Sequence, residues 1–390
     1  MVSFLTRRLI VPWKACSMSQ QRLVLIHQVL TASRGVSEVA REFGVSRKTA
    51  YKWLGRYRGE SQSSLEDRSR RPLRSPLRTQ ENIEQAVLDV RRRHNWGPRK
   101  IRRVLLDQQL TMPSLRTVAA ILSRHGCVGA SDSPHHQPHQ PFERGCPNEL
   151  WQLDHKGPIE VARQRVTPLT VLDDYSRYCL RFEPVTDVTM ATAWNVLWEL
   201  FGEVGLPQAI LCDNAFGGAH HTVGLSWFDA RLVALDIQPL HGRPYHPQTQ
   251  GKVERLHGTV QRELIDFDAR RDCLKHFCQD AQRWRTTYNT LRPHEALQDH
   301  PPVIRYRPSE RKRPAKLPQI EYAPGSIVRR VSQTGDFRYH NARIVVGRAL
   351  TRQTVRIEER QHDIGVYYGW KLLRVIPHAH LCGPRSDKMV

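Results

Sequence analysis

The chain has 390 residues, 39% of them apolar and 25% charged, with a net charge of +22 and a pI near 10.1. That composition excludes low-complexity and collagen-like chains, allows about two to four domains, and points to an anionic polymer as partner. The excess is uneven: residues 1–149 hold 26 of the 60 basic residues but 12 of the 38 acidic ones. Eight cysteines without a CxxC pair exclude a zinc ribbon or a disulfide framework and fit a reducing cytoplasm. No apolar run approaches the ~20 residues of a membrane span.

Residues 1–17 carry Arg7 and Arg8 among short apolar pieces with no signal-peptide core, and Met18 is an alternative start. From Gln20 the spacing predicts three helices. The first covers 20–31, with Leu23, Ile26, Val29 and Leu30 on one face. The second covers 36–43. After a turn at Gly44, Ser46 caps a third that runs to Arg58. This is a helix-turn-helix plan over 18–58. Its third helix sets Arg47, Lys48, Thr49, Tyr51, Lys52 and Arg56 against inward Ala50, Trp53 and Leu54, the split that a DNA-reading helix requires.

Residues 59–78 read as a basic linker. Residues 79–126 repeat the helical plan, with Ile83, Val87 and Val90, then Ile101, Val104 and Leu105, then Val118, Ile121 and Leu122 as apolar faces. Arg99 and Lys100, at the start of the middle helix, are candidate DNA contacts of this second unit. Residues 127–148 form a His- and Pro-rich linker, and His135, His136 and His139 lack the spacing of a usual zinc site.

From Leu150 the pattern turns to strands at 151–156, 167–173 and 178–185. A helix at 190–204, a strand at 209–212, a helix at 227–235, a strand at 237–240 and a long helix at 250–267 follow, and a last helix at 274–288 closes the domain. The order βββαβαβα over 149–308 is the ribonuclease-H-like plan. A basic stretch at 309–320 leads to six strand-length runs in 321–378, which predict a small all-β, SH3-like barrel.

Three carboxylates stand out within the α/β part. Asp154 and Asp213 end predicted strands, and Glu254 lies near the start of the long helix. Convergence of the three at one point concentrates repulsion that cations relieve, most often a pair of Mg²⁺ or Mn²⁺ ions serving phosphodiester chemistry. Lys252 and Arg255 flank Glu254 and are candidate phosphate contacts. Asp173 and Asp174 end another strand and, on residue type and placement alone, are equal candidates for the metal-holding role.

The segments Trp151-Gln152-Leu153-Asp154, Leu172-Asp173-Asp174-Tyr175-Ser176-Arg177, Cys212-Asp213-Asn214 and His246-Pro247-Gln248-Thr249-Gln250-Gly251-Lys252-Val253-Glu254-Arg255 carry a resemblance. So do Tyr288-Asn289 through Arg292-Pro293-His294 and the Pro301 to Ser309 stretch. Together they resemble bacterial insertion-sequence transposases with a DDE, retroviral-integrase-type core, and the resemblance covers nearly the whole chain.

It implies that Asp154, Asp213 and Glu254 are catalytic and hold two Mg²⁺ (or Mn²⁺) ions for cleavage and strand transfer of double-stranded DNA, at element ends and target. It also implies a homo-oligomer on that DNA, in the bacterial cytoplasm and with no membrane attachment. Three features depart from the family pattern. The 41 positions from Asp213 to Glu254 exceed the usual interval. Gly258 interrupts the helix. Gln261 stands where relatives often carry Lys or Arg. These departures leave an alternative expectation, an inactive transposase-derived DNA-binding regulator.

Overall fold

The computed structural model describes residues 17–31, 34–59, 65–67, 78–127, 143–213, 225–242, 251–267 and 269–381. The chain divides into two compact units, one ending at Arg78 and the other starting at Thr79. Most of the 59–78 linker, the three linker histidines, Asn214, the loop at 217–221 and the 246–250 approach to Glu254 lie outside the described residues.

The first unit holds α1 (Met18–Thr31), α2 (Val36–Glu42) and α3 (Arg47–Gly59). Gly44 makes the turn at φ +65°, and the Ser46 hydroxyl accepts from Thr49 N at 3.1 Å, capping α3. Leu25, Ile26, Val39, Ala40, Ala50, Trp53, Leu54 and Leu65 form its core.

The second unit begins with α4 (Glu81–His94), α5 (Pro98–Asp107) and α6 (Leu115–Arg124). Pro98 opens α5, where its missing N–H costs nothing, and Ser114 caps α6 by accepting from Thr117 N. Ile83, Val87, Ile101, Val104, Val118, Ile121 and Trp96 fill the space between them.

Next comes a twisted sheet made of β1 (Leu150–His155), β2 (Ile159–Val161), β3 (Gln164–Asp173), β4 (Cys179–Val185), β5 (Ala209–Cys212) and β6 (Gln238–His241). β1 is central. It pairs antiparallel with β3, which pairs antiparallel with β2 and β4, and it pairs parallel with β5, which pairs parallel with β6. The helices α7 (Met190–Val204), α8 (Trp227–Ala234), α9 (Gly251–Val260) and α10 (Leu274–Thr290) cover the sheet. Trp151, Leu153, Val171, Leu197, Phe201, Ile210 and Phe228 pack on one face. Leu172, Phe182, Val253, Leu256, Val260, Phe277 and Trp284 pack on the other.

The strand β2 was not anticipated. Its hairpin to β3 turns through Ala162 (φ 49°) and Arg163 (φ 64°), a left-handed pair made without the Gly, Asn or Asp that signals such turns in sequence. The turn is held instead by a distant partner, Ala162 N donating to Arg271 O at 2.9 Å.

Six strands end the chain: β7 (Ile327–Arg330), β8 (Asp336–Tyr339), β9 (Ala342–Val345), β10 (Thr354–Glu359), β11 (Asp363–Tyr368) and β12 (Lys371–Pro377). They lie close to the six expected runs. They form one four-stranded and one two-stranded antiparallel sheet, and their core reaches Leu225, Ala230 and Val233 at α8. The basic stretch before them is fastened rather than loose. Arg311 donates to the carbonyls of Pro207, Leu235 and Asp236, and Arg313 to that of Trp198. Gly205, at φ +83°, lets this segment pass, since a Cβ there would sit 2.7 Å from the Ser309 and Arg311 carbonyl oxygens. Among the described residues no helix is long and apolar enough to cross a membrane.

Candidate active site

The register of β1 against β5 sets the first two carboxylates. Leu153 pairs with Cys212 across parallel strands, so Asp154 and Asp213 are the next residues at the same, carboxyl-terminal edge. Adjacent strands lie about 4.8 Å apart, which makes these side chains neighbours. Opposite Asp154 on β3 is Thr170.

The helix α9 supplies the third. Val253, Leu256 and Val260 are buried against the sheet and α10, which leaves Glu254 exposed. One turn on, His257 sits with Nδ1 3.8 Å from Asp154 Oδ2 and Nε2 3.1 Å from Thr170 Oγ1. Residues three apart share a helix face, so Glu254 lies on the side of α9 that meets Asp154.

Electrostatics register the same meeting. The Asp154 carboxyl is pushed up to about 6, chiefly by burial, with the negative charges of Asp213 and Glu254 adding to it and a hydrogen bond from His155 N opposing it. His257 is driven down to about 4 by burial and by Lys156 and His155, so at neutral pH it is an uncharged neighbour of Asp154 and not its counterion. The Asp-Asp-Glu oxygens do not form a closed cage. Among the described residues the group whose ligand atoms all lie within 4.8 Å is Asp272, Cys273 and His276, at the start of α10. Three hard carboxylate donors of like charge are nevertheless the donor set that suits Mg²⁺ or Mn²⁺.

A charge trapped this way costs stability. Asp154 ionises without penalty in the unfolded chain near pH 4 but only near 6 in the fold. Its contribution is therefore neutral below pH 4, grows unfavourable between pH 4 and 6, and levels off above 6. In chelator at pH 8, Asp154→Asn is expected to stabilise the fold by about 2–3 kcal/mol, and at pH 4 by almost nothing. Thermal unfolding at the two pH values checks this, and equal melting shifts at both would contradict it.

The neighbouring acids do different work. Asp173 accepts from Ser176 N and Oγ and from Asn148 N, and Asp174 from Gln152 Nε2 and Arg144 N. Both are fully buried and tie the strand ends together. Lys252 is turned to this cluster, its Nζ 2.6 Å from Asp174 Oδ1, and burial lowers its pKa despite that partner. Arg255 is exposed on α9.

Two further side chains had no sequence signal. His241 Nε2 lies 3.0 Å from Asp229 Oδ1, which raises the imidazole's pKa beside the Asp213 backbone. Lys156, two residues past Asp154, donates to Gln261 Oε1 at 2.8 Å. Gln261 thus brings an ammonium to this helix. The fold does not explain Gly258, since a Cβ there would make only an ordinary contact with Arg262.

The candidate DNA-reading residues divide. Arg47, Lys48, Tyr51 and Lys52 are exposed together on α3, while Thr49 and Arg56 are half-buried. Thr49 shares a hydrogen bond with the Ser46 hydroxyl at 2.9 Å, and Arg56 stacks 4.7 Å over the buried Trp53 ring. Arg99 and Lys100 are engaged by acids of the core: Arg99 pairs with Glu295 at 2.6 Å and Asp299 at 3.0 Å, Lys100 with Glu263 at 3.4 Å. Helix periodicity makes both look like solvent-facing contacts, because it does not show which neighbour a basic face meets.

A six-stranded mixed sheet with carboxylates at the ends of two adjacent parallel strands, and a third on a helix above them, defines an integrase-type core. Comparison with known proteins agrees. The family model described as "Integrase core domain" matches residues 144–247, and a second of the same description matches 235–302. "Helix-turn-helix domain" matches 21–72 and "Homeodomain-like domain" 49–122.

The transposase for transposon Tn552 from Staphylococcus aureus is 22% identical over 332 residues, 72% of this chain and 65% of that protein. The Gag-Pro-Pol polyprotein of squirrel monkey retrovirus is 30% identical over 139 residues, and the chain spans 7% of it. Among solved structures, the simian T-cell lymphotropic virus intasome aligns over 75% of this chain and 96% of that one, with 16% identity and TM-score 0.39. The HTLV-2 integrase core in complex with magnesium aligns over 42% and 99%, with 16% identity and TM-score 0.33. The chain carries an integrase core and helix-turn-helix domains, and it fits a transposase of that architecture.

Proposed function

We propose that the protein is a DNA transposase that binds the terminal inverted repeats of its element and cleaves and joins DNA at Asp154, Asp213 and Glu254. The adjacency of Asp154 and Asp213 at the strand ends, with Glu254 charge-coupled to Asp154, carries this reading. Two divalent ions, Mg²⁺ or Mn²⁺, held by these carboxylates would activate the attacking oxygen and stabilise the leaving one.

The chain's own residues supply the rest. The two strand ends fix Asp154 and Asp213, and the buried face of α9 fixes Glu254. Uncharged His257, hydrogen-bonded to Thr170, lies beside Asp154 without competing as a cation. Lys156, Arg255 and the exposed basic face of α3 offer positive charge to phosphates. The C-terminal sheets, read as an SH3-like module, are a further candidate contact for DNA or for a protein partner. Two element ends must be held together for joining, so the active form is a homo-oligomer on duplex DNA in the bacterial cytoplasm.

The test is direct. Purified protein with labelled element-end duplex is expected to nick and join DNA in Mg²⁺, to stop in chelator, and to bind less tightly as salt rises because basic residues displace counterions. Binding without nicking at any Mg²⁺ or Mn²⁺ concentration would instead support a DNA-binding regulator.

A further inference from the structure

The helix α9 does not stop at Val260. It continues through a π-helical turn, Gln261–Ile265, closed by Asp266 N donating to Gln261 O at 2.9 Å. Such widened turns are rare and recur at functional sites. This one presents Glu263, nine residues past Glu254 in sequence and 8% exposed at its side chain. Three elements converge on that carboxylate. Arg292, just past α10, donates through Nε to both oxygens (3.0 and 2.8 Å) and through Nη2 to one (2.9 Å). Trp96, between α4 and α5, donates through Nε1 at 3.2 Å, and Lys100 on α5 through Nζ at 3.4 Å.

Around this centre Asn95 Nδ2 donates to Arg262 O at 3.2 Å, and Arg99 clamps Glu295 and Asp299. A buried carboxylate with donors from both sides is a directional joint, because each partner that moves leaves a buried charge short of a hydrogen bond.

We propose that Glu263 is a positioning residue that holds the second helix-turn-helix unit in fixed register with the catalytic helix. It thereby sets the distance from that unit to Glu254. The lock itself stands on geometry alone. Its consequence, that it selects the phosphate presented to the carboxylates, rests on the transposase reading.

The experiment uses the full chain with Trp96→Phe, which keeps an aromatic ring but removes the five-membered ring with its N–H, Lys100→Met, which keeps the length and deletes the charge, and the pair combined. All changes lie on the helical side, so the sheet and α9 retain their own core. Hydrogen exchange is expected to quicken by about tenfold or more in both 98–107 and 261–266 of the double variant, with β1, β3 and β4 unchanged. No change at 261–266, or a change spread through the sheet, would overturn the lock.

With element-end duplex and Mg²⁺, wild type is expected to cut at one phosphate. The double variant is expected to scatter its cuts over neighbouring phosphates. A single unshifted cut made more slowly would overturn the positioning role. If no variant and no wild type cuts DNA, the transposase reading fails while the exchange result still decides the lock.

Discussion

Asp213→Asn is expected to abolish Mg²⁺-dependent joining while leaving the affinity for element-end DNA unchanged. Asn keeps the shape of the side chain and removes one of three charges, so β5, buried at all four of its positions, has no reason to shift. What would be lost, on the proposed reading, is one of the three carboxylates that would hold the divalent ions. Metal stabilisation of a phosphoryl transition state amounts to several kcal/mol, and each 1.36 kcal/mol is tenfold in rate, so the loss is about 10³-fold or more. Removing one repelling neighbour also eases ionisation of Asp154, so the variant should be at least as stable as wild type in chelator. A gel assay of strand transfer beside a binding isotherm measures both quantities. Joining that survives in Asp213→Asn would sink the assignment of the site.

Arg292→Ala is expected to be the most damaging single change to the fold outside the apolar core. Glu263 and Arg292 are both nearly buried, and Arg292 is the fixed counterion. Lys100 is the weaker counterion, reaching Glu263 through one Nζ at 3.4 Å where Arg292 makes three contacts. Burial and the like charge of Arg292 outweigh Glu263 and bring the Lys100 ammonium down to about 8. Stripping one partner from a buried pair costs about 3–5 kcal/mol.

The pH dependence has a definite sign. Burial alone would raise the Glu263 pKa, yet Arg292, Lys100 and Trp96 bring it below the usual range. The wild-type pair therefore stabilises the fold above the unfolded value near pH 4, and that stability is lost as pH falls through the lower folded value. Wild type and Arg292→Ala should differ most at pH 7 and converge in acid. Denaturant unfolding at both pH values reads this. A difference that stays constant with pH would mean that packing of the arginine stem, not its charge, is what matters.

The three candidate carboxylates could be picked out because each sits in a short linear context. Asp154 and Asp213 end runs of strand-forming residues, and Glu254 follows a recognisable approach to a helix. The inward faces of the helices were legible for the same reason, since Ile83, Val87 and Ile101 announce themselves by spacing. β2 was not, because Ala162 and Arg163 take a left-handed turn that their side chains do not favour and that Arg271, far along the chain, holds in place. Arg99 and Lys100 stay ambiguous for a related reason. A basic helix face looks the same whether it meets phosphate or carboxylate, and the acids that engage it lie more than 160 positions away.

Local order along the chain thus decided which residues form strands and helices, how the elements follow one another, and where three carboxylates fall among them. These follow from backbone preference and apolar periodicity over a few residues. The folded sheet and the packing of α9 decided the rest. They made Asp154 a neighbour of Asp213, left His257 uncharged beside it, brought Lys156 to Gln261, and tied the second helical unit to Glu263. Each of these is a contact between segments distant in sequence, and its energy depends on burial and on the charges around it, which exist only once the chain has folded.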